Sequence, residues 1–374
     1  MRVGIDGRYL RSGRGIGNYT RSLIRNLSEW EKDISLVVYV PGQDHGCGLP
    51  PTNGCISVQS LPAAPFPVWE QMLLPLAARR HSLDVLHCTA NTAPLAPAAR
   101  LVVTVHDTMF MTADQRIPRS PSWYQRAGAR YRRVVAPVAT RHASMVITDS
   151  ERSRADVVRE LSLPSHKVAV IAPTVDPAFR RLDEGEARRS LPRELNVGFP
   201  YVLALGARDP RKNTPCVVAS FARYRGRGGD RHLVITGADA ATRKRLMALA
   251  TVLKVPEQVH VLDFVSGEEL VALYNCADAL LYPSLREGFG MPLLEAMACA
   301  TPIITSSTSS LPEVAGDAAL LVDPGSVESI ALGLERLLGE DSLRTALVER
   351  GRLRLLCFSA ERAAHATADV YRRA

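Results

Sequence analysis

The chain has 374 residues, of which 46% are hydrophobic and 22% charged, a composition typical of a globular protein rather than a disordered one. This length is more than one hydrophobic core normally serves, so it excludes a single small domain and favours two domains. The formal net charge is +8. Charge alone is weak evidence for a nucleic-acid binder, and neither a helix-turn-helix nor an aromatic stacking motif accompanies it.

No signal peptide or membrane span is predicted. The chain lacks an uninterrupted apolar stretch of about 18 residues, and it opens directly on the strand-like Arg2–Ile5. The seven cysteines are an odd number, and none has Cys-x-x-Cys spacing. They are typical of scattered reduced thiols rather than of a disulfide framework or a zinc site, which indicates the cytosol.

Strand-like and helix-like segments alternate along the chain, which predicts βαβ units, parallel sheets and the α/β class. In the first half the predicted strands are residues 2–6, 34–40, 84–87, 101–105, 145–148 and 168–171. A second series comprises residues 201–205, 232–236, 259–262, 279–282, 302–305 and 319–322. The segment between them, residues 174–200, is rich in charged, polar and proline residues, and we place the domain junction there.

A glycine-rich loop follows the first strand. Gly13, Gly15 and Gly17 precede a segment whose apolar residues fall on one helical face. Those residues are Tyr19, Leu23, Ile24, Leu27 and Trp30. Glycines allow a backbone to approach a ligand closely, so Gly15 and Gly17 either line a binding site or form a plain turn. A Rossmann dinucleotide site is disfavoured, because the spacing is not Gly-x-Gly-x-x-Gly and the loop is too long.

Two segments between residues 101 and 141 carry candidate functional side chains. His106 and Asp107 follow the strand 101–105, at a carboxyl end where open α/β sheets bind ligands, although an isolated pair of this kind is more often structural. The stretch Arg116–Arg141 contains seven arginines and no acid. Its apolar residues recur at helical spacing and are Tyr124, Ala127, Tyr131, Val134, Val135 and Val138. We expect a basic amphipathic helix that Pro137 kinks or ends, suited to an anionic lipid surface or to a solvated basic face.

A basic turn follows the first strand of the second series. It reads Arg208-Asp-Pro-Arg-Lys-Asn213. Arginine can hold phosphate through two parallel N–H bonds, and lysine acts as a point charge. Fixed cations of this kind lower the barrier to departure of an anionic leaving group. A solvated basic turn is the alternative.

Two carboxylates, Glu287 and Glu295, bracket a glycine loop that runs into a predicted helix. The start of a helix presents unpaired N–H groups and a partial positive charge, and Gly288 and Gly290 allow close approach, so a diphosphate fits there. Pro292 suits the first helical position. We expect Glu287 to reach hydroxyls of a sugar, and Glu295, in the first helical turn, to reach those of a ribose. An ordinary junction with solvated acids is the alternative.

The segment YPSLREGFGMPLLEAMACATPIITSSTSSLPEVAGDAALLVDP resembles the donor-binding region of retaining GT-B glycosyltransferases, glycosyltransferase family 4 in particular, whose Glu-x7-Glu signature falls on Glu287 and Glu295. The segments GIGNYT, TVHDTMF, VITDSERSRADV and LGARDPRKN extend the resemblance in the family's order. It implies a GT-B fold, with two Rossmann-like, doubly wound parallel-sheet domains facing a central cleft. Residues 1–175 would bind the acceptor and residues 198–358 the donor, and the last helix, about residues 359–374, would return to the first domain.

The resemblance also implies roles for individual residues. His106 would contact the transferred sugar, Glu287 would orient it, and Lys212 and Arg211 would hold the diphosphate. The other implied donor contacts are Gly15, Gly17, Arg208, Val265, Gly288, Phe289, Gly290, Met291 and Glu295. The implied acceptor contacts are Tyr19, Asn91 and Asp107, of which Asp107 could instead orient the imidazole. Many relatives have an arginine directly after the glycine, where this chain has Ala207 after Gly206. Arg208 or Arg211 would take the role of that arginine.

The function implied is transfer of a hexose to a saccharide or lipid-linked acceptor in cell-surface polysaccharide or lipopolysaccharide biosynthesis. Mannose from GDP-mannose is the first expectation for the hexose. UDP-glucose or another nucleotide sugar is the alternative donor. Since no Asp-x-Asp motif stands at a matching strand end, we expect neither a metal nor a cofactor. The resemblance to retaining enzymes implies same-face displacement, in which the leaving phosphate helps to deprotonate the acceptor hydroxyl, so we name no protein nucleophile. A non-catalytic nucleotide-sugar binder would have lost Glu287 or Lys212, and both are present. We expect a cytoplasmic protein without nucleic-acid partners, in peripheral contact with the inner face of the membrane.

Overall fold

The computed structural model describes residues 1–12, 15–42, 49, 54–111, 123–195 and 199–374. Contacts divide the chain into two compact units. Unit 1 comprises Met1–Thr174 and Phe358–Ala374, and unit 2 comprises Val175–Cys357. The last residues of the chain therefore belong to the same unit as the first.

Unit 1 is built on a parallel sheet. Its strands are β1 (Arg2–Asp6), β2 (Ser35–Pro41), β3 (Ile56–Leu61), β4 (Val85–Cys88), β5 (Arg100–Thr104), β6 (Met145–Thr148) and β7 (Val168–Val170). They lie in the order β3-β2-β1-β4-β5-β6-β7. Because the order reverses between β1 and β4, the sheet is doubly wound, with its switch point at the carboxyl ends of these two strands.

The sequence predicted every strand of this sheet except β3. This strand reads Ile56-Ser-Val-Gln-Ser-Leu61 and pairs only with β2, from Leu36↔Ile56 to Pro41↔Leu61. An edge strand has one neighbour and stays partly exposed, and three of the six residues here, Ser57, Gln59 and Ser60, are polar. The buried central strands β1, β4 and β5 instead carry continuous apolar runs, which single-sequence reading detects readily.

Unit 2 is built on a second parallel sheet. Its strands are β8 (Tyr201–Ala204), β9 (His232–Ile235), β10 (Val259–Val261), β11 (Ala279–Tyr282), β12 (Ile303–Ser306) and β13 (Leu320–Val322). They lie in the order β10-β9-β8-β11-β12-β13, again with a reversal, here between β8 and β11. The predicted α/β class with two doubly wound parallel sheets is confirmed.

Helices connect the strands of both units. They are α1 (Gly15–Trp30), α2 (Phe66–Val68), α3 (Leu74–Arg80), α4 (Trp123–His142), α5 (Glu151–Leu161), α6 (Glu184–Arg189), α7 (Thr214–Gly226), α8 (Ala240–Val252), α9 (Gly267–Cys276), α10 (Met291–Ala298), α11 (Leu311–Ala315), α12 (Val327–Gly339), α13 (Asp341–Leu355) and α14 (Ala360–Arg373). A π-helical segment, Trp69–Leu73, joins α2 to α3. Short 3-10 turns cover Ser165–Lys167, Pro210–Lys212, Pro256–Gln258 and Leu356–Phe358.

The first and last helices of unit 1 pack together. Leu23, Ile24 and Leu27 of α1 are buried as predicted, and they belong to the same apolar cluster as Tyr371 of α14. At the far end of α1, Glu31 is only 5% exposed and accepts hydrogen bonds from His365 Nδ1 at 2.6 Å and Arg372 Nη2 at 2.7 Å. A buried carboxylate needs such partners, so the two helices depend on each other.

Helix α4 rules out one predicted alternative and departs from another prediction. It does not end at Pro137 but runs on to His142, and the Thr140 hydroxyl donates to the Ala136 carbonyl at 2.6 Å in the turn around the proline. Val134 was predicted on the apolar face and is 64% exposed, whereas Val135 is buried. The reason is that Ala136 and Ala139 also face the interior, which turns the neighbouring valine outward. Residues 116–122 of the basic stretch lie outside the described residues.

Candidate active site

Two loops that the sequence singled out meet in unit 2. Residues 205–213 follow β8 and residues 283–290 follow β11, and these two strands are neighbours in the sheet. Lys212 Nζ lies 2.5 Å from Glu287 Oε1, and the two side chains are only 16% and 10% exposed. The ammonium also donates to the Tyr282 hydroxyl and lies 4.7 Å from the centre of that ring. The structure therefore joins the predicted phosphate-binding lysine directly to the predicted sugar-binding acid.

Gly206 fits the turn that places Lys212. Its φ is +75°, and a Cβ at this position would lie 2.9 Å from Lys212 Cγ. Positive φ is readily adopted only by glycine. A side chain at residue 206 would therefore both strain the turn and displace the lysine stem.

The carboxylate of Glu287 is held by three donors on one oxygen. Besides Lys212, the Tyr282 and Ser284 hydroxyls donate to Oε1 at 2.8 and 2.6 Å. None of these contacts uses Oε2. Burial raises the pKa of Glu287, but the charges of Lys212 and Arg211 and these hydrogen bonds lower it by more, so the net shift is downward. Glu287 is therefore ionised at neutral pH, with its orientation fixed.

Serines from the loop before α11 fix the backbone of the glycine loop. Ser309 Oγ accepts a hydrogen bond from Glu287 N at 2.9 Å and donates to Glu287 O at 2.7 Å. Ser310 Oγ donates to the Phe289 carbonyl at 2.8 Å. Sequence reasoning did not single out these serines, because nothing in their local pattern shows that they lie beside a loop 20 residues earlier in the chain.

Within the described ranges, the N-terminus of α10 has no side-chain cap, although Pro292 lacks an N–H and the Leu293 N–H donates to the Gly290 carbonyl at 2.9 Å. Gly290 precedes the helix with φ +114°, and a Cβ there would lie 2.6 Å from Leu311 Cδ2. The other backbone N–H groups and the partial positive charge of this end therefore face outward from the helix.

The predicted first residue of α10 was wrong by one position. The helix begins at Met291, so Pro292 is its second residue rather than its first, and its first turn contains no acid. Glu295 consequently lies in the second turn. The reason is that Gly290 takes the N-cap conformation, which starts the helix one residue before the proline.

Glu295 is half-buried beside a tyrosine. The Tyr274 hydroxyl donates to Glu295 Oε2 at 2.7 Å. Burial raises the pKa of Glu295 to about 7, because removal from water disfavours the carboxylate more than the hydrogen bond favours it. The charge of this side chain therefore changes near neutral pH.

The two arginines of the basic turn differ in their surroundings. Arg211 donates from Nη2 to Asp209 Oδ2 at 2.6 Å and from Nε to the same carboxylate at 3.0 Å, while its charge still acts on Glu287. Arg208 Nε lies 3.2 Å from Asp239 Oδ2 in an exposed ion pair. The structure thus places Arg211 beside the Lys212–Glu287 pair and points Arg208 toward Asp239.

The remaining predicted donor residues of unit 2 fall into two places. Gly288, Phe289 and Met291 lie in the loop and at the helix start between Glu287 and Glu295, with Phe289 only 6% exposed. Val265 is half-buried in the loop that follows β10, a strand separated from β8 by β9.

His106 lies in unit 1 just beyond the carboxyl end of β5. Its Nδ1 is 2.8 Å from Asp149 Oδ2, and its Nε2 is 3.0 Å from the Thr89 carbonyl oxygen. Burial lowers the pKa of His106, but the charge of Asp149 and the hydrogen bonds raise it by more, so the net shift is upward. Since both neighbours are acceptors, the imidazolium form can donate to each of them, and these contacts favour protonation of the ring.

The neighbours predicted for His106 have other tasks in the structure. Asp107 Oδ1 accepts from Met109 N at 2.9 Å, so Asp149 rather than Asp107 orients the imidazole. Asn91 has φ +67°, and its Oδ1 accepts from His106 N at 2.8 Å, which fixes the histidine backbone. Asp149 follows β6 in the segment VITDSERSRADV, so its place at a neighbouring strand end was a signal that could have identified it.

The N-terminal part of α1 reaches the same part of unit 1. The Tyr19 ring packs edge-on against His106, with ring centres 4.7 Å apart. A Cβ on Gly17 would lie 2.1 Å from the Ser12 carbonyl oxygen, so the helix start rests directly on the turn before it. Gly15 is exposed, with nothing within 4 Å of an added Cβ. Gly13 lies outside the described residues.

The described residues contain neither a candidate metal site nor a helix that could span a membrane. They contain no group of three or more histidine, cysteine, aspartate or glutamate side chains arranged to hold a metal ion. Within the same ranges, no helix combines the length and the hydrophobicity needed to cross a lipid bilayer.

Comparison with known proteins assigns the family. Residues 13–179 match the model of glycosyltransferase family 4, and residues 188–354 match that of glycosyl transferases group 1. The chain belongs to the glycosyltransferases. The predicted enzyme class is therefore confirmed, and both clusters of functional side chains fall within the matched regions.

Two named relatives align with most of this glycosyltransferase at 28% and 29% identity. The O-antigen chain mannosyltransferase B of Escherichia coli is 28% identical over 274 residues, which cover 73% of this chain and 70% of that protein. An MMP alpha-(1->4)-mannosyltransferase of Mycolicibacterium hassiacum is 29% identical over 312 residues, which cover 80% and 72%.

The fold of the glycosyltransferase matches solved structures. Anabaena HepE in complex with UDP-glucose gives a TM-score of 0.74 at 18% identity, covering 99% of this chain and 98% of that one. Identity at this level shows the fold alone, and the predicted GT-B fold is confirmed.

Proposed function

We propose that this glycosyltransferase transfers mannose from GDP-mannose to a saccharide or lipid-linked acceptor, with retention of the anomeric configuration, in the synthesis of a cell-surface polysaccharide or lipopolysaccharide. One observation carries the proposal: a largely buried lysine is paired with a carboxylate beside the N-terminus of α10. A diphosphate and the sugar attached to it need these two kinds of group side by side. The names of the two mannosyltransferase relatives support mannose.

The geometry suggests how the donor is held. The diphosphate would bind the N–H groups at the start of α10 and the Lys212 ammonium, with Arg211 close by. Glu287 would accept hydrogen bonds from sugar hydroxyls, and Glu295 from those of the ribose. As the glycosidic bond breaks, negative charge grows on the diphosphate, and preorganised cations and helix amides stabilise it more than they stabilise the bound donor. These groups supply the charge that a metal would otherwise provide, so we propose that none is required.

The histidine of unit 1 keeps its implied role in this proposal. His106 Nε2 would exchange the Thr89 carbonyl for an oxygen of the transferred sugar, while Asp149 holds Nδ1. No protein nucleophile is assigned, and the leaving phosphate would accept the proton of the acceptor hydroxyl. Asn91 would act through the His106 backbone.

Titration with nucleotides tests the donor site. We expect GDP and GDP-mannose to bind with EDTA present, and Lys212→Ala to weaken both. Binding of UDP-glucose in their place would support the alternative donor, for which the likeness to a UDP-glucose complex is the favouring observation. Proton NMR of the product should show the α-anomer. Strict dependence on a divalent ion, or a β-linked product, would contradict the mechanism.

We further propose peripheral contact of unit 1 with an anionic membrane from the cytoplasmic side. Val68, Met72 and Leu76 recur every four residues along α2, the π-helical segment and α3, and they are 38%, 57% and 62% exposed. Two exposed arginines, Arg79 and Arg80, end α3. The only acid in residues 62–83, Glu70, is 1% exposed, so the outer surface of this segment carries no negative charge.

The neighbouring helix α4 adds positive charge. Tyr131 of α4 donates to Glu70 at 2.6 Å, which ties α4 to the segment. Arg130, Arg133 and Arg141 of α4 are exposed. Apolar side chains with surrounding cations suit the interface of an anionic bilayer.

Vesicle sedimentation tests the membrane contact. We expect binding to phosphatidylglycerol vesicles but not to phosphatidylcholine vesicles, and loss of binding in Met72→Ser/Leu76→Ser. Leu332→Ser, at a residue 48% exposed in unit 2, is the matched control and should bind normally. Equal binding by both variants would contradict the proposal.

A further inference from the structure

A continuous chain of four side chains connects the last helix of unit 1 to the neighbour of His106. The Tyr371 hydroxyl of α14 lies 2.6 Å from His87 Nδ1. His87 Nε2 lies 2.7 Å from Thr104 Oγ1, and that oxygen lies 3.1 Å from the Tyr19 hydroxyl. Tyr19 in turn packs against the His106 ring.

These four side chains have more donor hydrogens than there are hydrogen bonds between them. His87 has a hydroxyl on each side and no carboxylate, and burial lowers its pKa to about 3, so the ring is neutral and carries one N–H. Two phenols, one threonine hydroxyl and one imidazole then offer four hydrogens for three hydrogen bonds. One hydrogen is left over, and the direction of the chain decides at which end it lies.

Burial decides the direction. Tyr371, His87 and Thr104 are each 0% exposed, whereas Tyr19 is partly exposed. A buried hydroxyl that donates to nothing is destabilising by about 1–3 kcal/mol, so Tyr371 donates to His87 Nδ1. His87 Nε2–H then donates to Thr104, and the Thr104 hydroxyl donates to the Tyr19 oxygen. The remaining hydrogen belongs to Tyr19.

We infer that the Tyr19 hydroxyl is set as a hydrogen-bond donor to an oxygen of the bound acceptor, and that Tyr371, His87 and Thr104 are positioning residues that fix this polarity. The inference rests on the proposed transfer reaction. It assigns the crossover helix α14 a part in substrate binding: the phenol of Tyr371 contacts no substrate, but it determines which way the tyrosine beside His106 donates.

The tautomer of His87 tests the direction without any substrate. In a 15N-labelled protein, long-range 1H–15N correlation distinguishes a ring protonated at Nε2 from one protonated at Nδ1, and His87→Gln assigns the signal. We expect the Nε2–H form in the wild type and a loss of this preference in Tyr371→Phe. A ring protonated at Nδ1 would place the spare hydrogen on Tyr371 and overturn the inference.

Kinetics with GDP-mannose and methyl α-mannoside as the acceptor probe test the consequence. Loss of one neutral hydrogen bond should raise the acceptor KM by about 2- to 13-fold in Tyr19→Phe, with the donor KM unchanged. Thr104→Val should raise the acceptor KM by less, because Tyr19 keeps its hydrogen and loses only the bond that sets its direction. Thr104→Ser should leave the acceptor KM almost unchanged, because serine keeps the hydroxyl. In Tyr19→Phe, adding Thr104→Val should change the acceptor KM no further.

The possible failures are distinguishable. A wild type that neither binds GDP-mannose nor transfers to any mannoside would contradict the proposed function, while the His87 tautomer would still decide the polarity of the chain. A wild type that transfers, with an unchanged acceptor KM in Tyr19→Phe or with additive effects of Thr104→Val, would overturn the inference alone. Thermal unfolding of each variant verifies that the compared proteins are folded.

Discussion

Glu287→Gln is the substitution that examines the site most directly. It keeps the shape of the side chain but removes the charge that faces Lys212 at 2.5 Å. The ammonium, 16% exposed, would lose its counter-charge, and a hydrogen bond between charged groups contributes about 1.5–3 kcal/mol. Removing one partner of a fully buried pair is destabilising by about 3–5 kcal/mol, and the residual exposure here places the expected loss near 2–3 kcal/mol.

The expected loss converts to a melting temperature. Unit 2 spans Val175–Cys357. In a domain of this size, 1 kcal/mol shifts Tm by about 2–4 °C, so differential scanning calorimetry should show a decrease of roughly 5–10 °C. Glu349→Gln is the matched control, because Glu349 pairs with Arg352 on the surface of the same unit and surface pairs contribute about 0–1 kcal/mol.

The same variant separates binding from transfer. Glu287 is assigned to the sugar and not to the nucleotide, so GDP should bind to Glu287→Gln at least as tightly as to the wild type, since Lys212 is released from its carboxylate. Transfer should fall by about 100-fold or more, the usual effect of removing one group that stabilises the transition state. An unchanged Tm together with unchanged transfer would refute the reasoning.

Three further substitutions address the rest of the two clusters. The carboxyl group of Glu295 has a raised pKa of about 7, and its ionised form would accept hydrogen bonds from the donor. GDP-mannose should therefore bind more tightly at pH 8 than at pH 6, and binding should release a proton. Calorimetry of Glu295→Gln should show neither effect. For Asp149→Asn, the loss of unfolding free energy should be largest below pH 6.5, because Asp149 stabilises the protonated form of His106. The loss should shrink as pH rises through the raised pKa of His106. Denaturation at pH 6 and pH 9 measures the two losses, and equal losses would contradict the prediction. For Gly290→Ala, both the positive φ and the clash with Leu311 should lower Tm and abolish GDP binding, and normal binding would show that the helix start is not the phosphate site.

The sequence predicted most of the strands and the fold class, because these features depend on local sequence patterns. Apolar runs in β1 and β8, and glycines at turns such as Gly206 and Gly290, produce signals within a few residues of themselves. Sequence reasoning missed β3, in which half of the residues are polar and the apolar signal is weak. Of the two alternatives predicted for Pro137, a kink or an end, the end is excluded, because α4 continues to His142 with the proline inside the helix.

The site was recovered less completely, since contacts over long sequence separations leave no local pattern. Lys212 and Glu287 were each singled out, but their pairing arises from the adjacency of β8 and β11. Asp149 escaped notice because it is partnered with a histidine 43 positions earlier. Ser309 and Tyr282 show no local sequence signal, because only the fold brings their hydroxyl groups to Glu287.

The division of the chain into units has a consequence for biosynthesis. Unit 1 receives Arg372 and Tyr371 341 positions after Glu31, and only after the last residue of unit 2 has been synthesised. Unit 2 is therefore complete in the nascent chain before unit 1, which is begun first but still lacks α14. A nascent chain stopped before residue 360 would leave Glu31 without its cations and His87 without its phenol, so premature termination should yield a folded unit 2 attached to an incomplete, protease-sensitive partner.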